Sequence, residues 1–151
     1  FNTFINLRRA WDVVKRLNDA VGTNFFRTVV DASHCGDSGL SVDENQRLIR
    51  EIAQAGALGT FHASAPTTRG CLTTDKGWIK ELLNACLETG QLETVIVEAF
   101  DHSDEGLEGL RAAVPGHGVD TTKGRSYDQL IADGLASVVR LLMEWKEAKV
   151  P

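Results

Sequence analysis

Basic charge is scarce in this chain: 16 Lys and Arg stand against 21 Asp and Glu, for a net charge of −5. Outnumbered and scattered cations create no field to gather the phosphates of nucleic acid or an anionic lipid surface, so neither is expected as a partner. Long apolar runs are missing too. None approaches the roughly 20 residues needed to span a bilayer, and the N-terminus lacks the charged-then-apolar layout of a secretory signal. The three cysteines, Cys35, Cys71 and Cys86, are an odd number, widely spaced and without a C-x-x-C pair, which argues against a disulfide framework or a structural zinc site. A soluble protein of the reducing cytoplasm is expected. No low-complexity linker divides the 151 residues, so they read as one unit.

What is present is an alternation of helix and strand patterns. Leu7, Trp11, Val14, Leu17 and Val21 form an amphipathic stripe, with Asn6 as N-cap and Gly22 beyond the end. FFRTVVD, Phe25 to Asp31, is aromatic and β-branched and reads as a strand. After a Gly-containing loop, Ser41 and Glu44 make a capping box ahead of Leu48, Ile49, Ile52 and Ala55, closed by Gly56. LGTFH, Leu58 to His62, is a second short strand, followed by the polar loop APTTRG. Thr74 caps a third helix bearing Trp78, Ile79, Leu82, Leu83 and Cys86, ended by Gly90. TVIVEAF, Thr94 to Phe100, reads as a strand buried on both faces. A short helix over Glu105 to Val114 and a Gly-rich turn, Pro115 to Gly118, precede a long last helix. Ser126 and Gln129 cap it, and Leu130, Ile131, Leu135, Val138, Val139, Leu142 and Trp145 form its stripe.

Strands separated by one helix each imply parallel pairing through right-handed crossovers, which puts all three strand C-termini on one rim. Asp31, His62 and Glu98 therefore converge there, although 31 and 36 residues separate them. Two carboxylates and an imidazole suit a divalent ion of the Mn, Co or Mg type. Such an ion polarises a sugar carbonyl and an adjacent hydroxyl, provided a carboxylate serves as base. A polar residue at a strand end can equally cap the next loop, so the triad is a candidate. His34 and Arg69, in the first and second rim loops, are candidates for holding substrate oxygens, with solvent-exposed loop positions as the alternative. Cys35 beside His34 invites a thiol-nucleophile reading, but no oxyanion site is evident. His102 and His117 take no role beyond loop positions.

These residues resemble a known family. VVDASH, Val29 to His34, is similar to the LDTFH motif of ketose 3-epimerases, members of the xylose-isomerase-like TIM-barrel family. FHASAPTTRG, Phe61 to Gly70, resembles their FHVADSNRG segment with one extra residue, and VIVEAF, Val95 to Phe100, their VMEPF strand. The resemblance runs in order across nearly the whole chain. It implies that residues 1–151 are the C-terminal half of a barrel, strands six to eight of eight, acting as a metal-dependent sugar isomerase or epimerase. It further implies Asp31, His62 and Glu98 as ligands of a divalent ion, Mn2+ first, with Co2+, Mg2+ or Zn2+ as alternatives. Glu98 would double as an acid/base, and His34 and Arg69 would contact substrate. The family's second catalytic carboxylate, also its fourth metal ligand, falls before Phe1, so the N-terminal part of the barrel is expected on a missing segment or a partner chain. Three strands would expose an edge and inner faces, so the piece is expected to pair with itself or with its complement. Ala32 and Ser33 in place of Thr and Phe, and the inserted residue before Arg69, put the substrate in question more than the metal. A lyase or hydrolase on the same scaffold, acting on an oxidised sugar or in the manner of endonuclease IV, and a non-catalytic binding half are the competing readings.

Overall fold

The computed structural model describes residues 6–65, 77–98, 105–113 and 126–149. In chain order the elements are α1 (Leu7–Val21), β1 (Thr28–Asp31), α2 (Ala32–Asp37), α3 (Val42–Gln54), β2 (Leu58–Ala63), α4 (Trp78–Glu88), β3 (Thr94–Val97), α5 (Glu108–Ala113) and α6 (Tyr127–Glu147), with a 3-10 turn at Glu105–Leu107 leading into α5. The protein is α/β. Its three strands form one parallel sheet in the order β1-β2-β3. No helix among the described residues is long and apolar enough to cross a membrane.

Local chemistry sets most of the helix ends. Asn6 accepts a hydrogen bond from the Arg8 amide, and Gly22, at φ 72°, ends α1 in the left-handed conformation with its N–H on Asn18 O. Ser41 with Glu44 and Ser126 with Gln129 form reciprocal capping boxes at the starts of α3 and α6. The expected cap of α4, Thr74, lies outside the described residues, and Gly77 occupies the N-cap position.

Alternation along the strands sorts the sheet into two unlike faces. Val30, Phe61 and Ala63 are wholly buried in one cluster with Leu48, Ile49 and Ile52 of α3 and Ile79, Leu82, Leu83 and Cys86 of α4. Each large apolar side chain buried there contributes about 1.5–3 kcal/mol relative to exposure. Helix α1 lies against β1 and α3, and α6 lies against β3. Trp11 Nε1 and Arg8 Nη1 donate to the two oxygens of Glu51 at 2.8 and 2.9 Å, which joins α1 to α3 and holds the Glu51 carboxyl below its usual range.

On the other sheet face, among the described residues, two apolar side chains stand half exposed. Val29 is 45% and Ile96 43% exposed, which overturns the expectation that β3 is buried on both sides. Val95 and Val97 pack on the core while the alternate residues turn away from it. β1 is also shorter than its aromatic start suggests. Asn18 brackets Phe26 with two hydrogen bonds, Nδ2 to Phe26 O at 2.9 Å and Oδ1 from Phe26 N at 2.8 Å. With the Phe26 backbone groups taken by an amide side chain, the ladder begins only at Thr28, and Phe25 is 75% exposed. Two helix stripes are likewise less buried than their periodicity suggests. Leu17 and Val21 in α1 and Leu135 and Val139 in α6 face outward, while Leu7, Trp11, Leu130 and Val138 point inward.

Candidate metal centre

Asp31 is the last residue of β1 and pairs directly with His62 in the ladder. His62 in turn stands opposite Ile96 of β3. Glu98 follows two residues after Ile96, on the same side of the pleat, and its N–H donates to Ala63 O at 3.0 Å. Parallel pairing thus carries all three side chains to the C-terminal edge, on the face turned away from the helical core. His62 Nδ1 lies 3.5 Å from Asp31 Oδ2 and 3.9 Å from Glu98 Oε2. One ligand atom from each residue falls within 4.8 Å of the others.

The donor set fits a hard divalent cation. Ligands about 2.1–2.2 Å from a shared ion stand roughly 3 Å apart when at right angles and about 4.3 Å apart when opposed, close to the separations here. Two carboxylate oxygens and one imidazole nitrogen, without thiolate, are donors that such a cation accepts. All three side chains are partly buried, at 15% exposure for Asp31, 26% for His62 and 28% for Glu98.

The loop expected after Asp31 is in fact the short helix α2, and Asp31 is its N-cap. Oδ1 accepts the His34 amide at 3.0 Å. The carboxylate therefore divides its work: one oxygen is fixed by the helix start, which orients the other toward His62. This cap is readable in D-A-S-H only with hindsight, because the following Gly and Ser residues look like loop. His34 sits in the first turn of α2, partly buried beside the triad. Trp78, which carried only a packing role in the sequence reading, donates its indole N–H to Ala32 O at 2.7 Å and ties the start of α4 to the same rim. Arg69, Cys71, His102 and His117 lie outside the described residues.

The thiol-nucleophile alternative loses its footing. Cys35 is 2% exposed, and burial, with the Asp31 charge adding to it, pushes its thiol up to about 12. Burial therefore keeps it as the unreactive thiol rather than the nucleophilic thiolate. Cys86 is raised in the same direction by burial. In a Cys71→Ser variant, Ellman's reagent should therefore titrate neither remaining thiol in the native protein at pH 8 and both after denaturation. Rapid native modification would show that the packing around Cys35 or Cys86 opens.

Comparison with protein-family models, with curated proteins and with solved structures finds no match to this chain.

Proposed function

We propose that this chain belongs to a divalent-metal-dependent isomerase or epimerase acting on a sugar or sugar-like polyol. The observation that carries the reading is the meeting of Asp31, His62 and Glu98 within 4.8 Å at the C-terminal edge of a parallel sheet. A metal bound there supplies Lewis acidity toward a carbonyl and its neighbouring hydroxyl. Asp31 and His62 hold position, Asp31 through its helix-cap bond and His62 through the central strand. Glu98 accepts the proton from the carbon between carbonyl and hydroxyl, and a second acid on the opposite side of the substrate completes epimerisation by returning a proton there. His34 and Arg69 are the proposed substrate-oxygen contacts.

The finer fold is proposed with it: three consecutive units of an eight-stranded (β/α) barrel. Support comes from the unpermuted strand order, with helices packed on one face and the triad on the other. Val29 and Ile96, half-exposed on the triad's face, are then wall-lining residues that further strands would cover. Two buried free thiols, Cys35 and Cys86, suit a reducing compartment.

The test is Mn2+-dependent interconversion of ketose epimers, followed by chromatography and by deuterium uptake from solvent at the epimerised carbon. Deuterium incorporation that vanishes with chelator is the expected result. Turnover that persists without metal would remove the reading, and binding without exchange across a ketose and aldose panel would favour the non-catalytic alternative.

A further inference from the structure

Helix α6 carries apolar residues on two opposite sides. Leu130, Gly134 and Val138 are buried on one of them. Around the other run Ala132, Leu135, Ala136, Val139 and Met143, all exposed. Leu135 is 53%, Val139 54% and Met143 57% exposed, and spacings of four make them one continuous strip along the axis. Each residue of an α-helix turns about 100° from the last, which puts this strip roughly opposite the buried side. Strands and helices added beside the sheet would flank α6 without reaching its outer side, so completing the proposed barrel leaves the strip exposed.

A contiguous apolar strip of this kind marks a contact with another protein surface. The charges at its two ends select the partner. Asp128 and Lys146 are both exposed and about five helical turns apart, so they fall on the line of the strip, one at each end. Opposite charges at the ends make the strip self-complementary. Laid antiparallel on a second copy, Asp128 of one protomer meets the partner's Lys146, whereas parallel pairing sets like charge against like. The register that joins these two residues is centred on Ser137, and the same register sets Leu135 against Val139. Ala132 and Ala136, beside the larger side chains, let the two axes approach to the usual separation of about 8–10 Å.

We propose that the outer side of α6 is a dimer interface that takes a second copy of this chain, packed antiparallel about a twofold axis near Ser137. The inference does not depend on the reading of Asp31, His62 and Glu98. A helix of 21 residues spans about 30 Å, so a single helix pair stands at the small end of specific interfaces and the dimer exchanges with monomer.

Sedimentation equilibrium over a range of protein concentrations tests it, with circular dichroism melts of each variant as the folding control. The wild type should pass from the monomer mass to twice that mass as concentration rises. Val139→Glu and Met143→Glu, both on exposed side chains, should each weaken association about a hundredfold, because twofold symmetry buries the introduced charge twice. Asp128→Lys and Lys146→Glu should each weaken it about tenfold, and the two together should restore it. A wild type that stays monomeric, or association undiminished in folded Val139→Glu and Met143→Glu, overturns the interface. A double reversal that associates no better than the single ones overturns the antiparallel pairing.

Discussion

Glu98→Gln is expected to lower turnover roughly a thousandfold, within the range that a positioned proton-transfer group contributes, with the fold intact. The substitution keeps the side chain's shape, and the backbone bond from residue 98 to Ala63 O does not depend on it. What it removes is the negative charge and the proton-accepting oxygen. An amide oxygen is still a weak ligand, so metal affinity should fall less than turnover, and that difference separates the base role from the ligand role. Turnover measured at saturating Mn2+, with circular dichroism melts as the control, reads both. Wild-type turnover would take Glu98 out of the mechanism, and a proportional loss of binding and rate would make it a ligand only.

Phe61→Ala carries the largest expected cost to stability. Phe61 is wholly buried on the central strand, on the core face opposite His62's side of the pleat. Truncating a buried Phe costs about 3–5 kcal/mol, which for a chain of this length lowers the melting temperature by roughly 6–20 °C. Val29→Ala and Ile96→Ala form the internal contrast. Their side chains are 45% and 43% exposed on the opposite face, so each change should stay within about 1 kcal/mol. Equal losses at all three positions would mean that both sheet faces are covered in solution.

The contrast between these faces also marks what the sequence could convey. Caps were legible because they are local: Asn6, Ser41 with Glu44, and Ser126 with Gln129 each act within four residues of themselves. The convergence of Asp31, His62 and Glu98 was legible for a different reason. Parallel strands share a direction, so marking where each ends is enough to place three distant residues on one edge. Features decided by distant partners were misread. Phe25 and Phe26 have the composition of a strand, yet Asn18, on another element, takes the Phe26 backbone groups. The β-branched run of β3 suits a doubly buried strand, but what covers a face is set elsewhere in the fold, and Ile96 is left half exposed. Leu135 and Val139 show the same limit in α6: periodicity records an apolar stripe without saying how much of it finds a partner.

Metal titration tests the central claim most directly. Calorimetry with Mn2+ on the metal-free protein should give one ion per chain, with His62→Ala and Asp31→Ala each abolishing the binding heat. No binding by the wild type, or binding that survives the loss of both His62 and Asp31, would contradict the account.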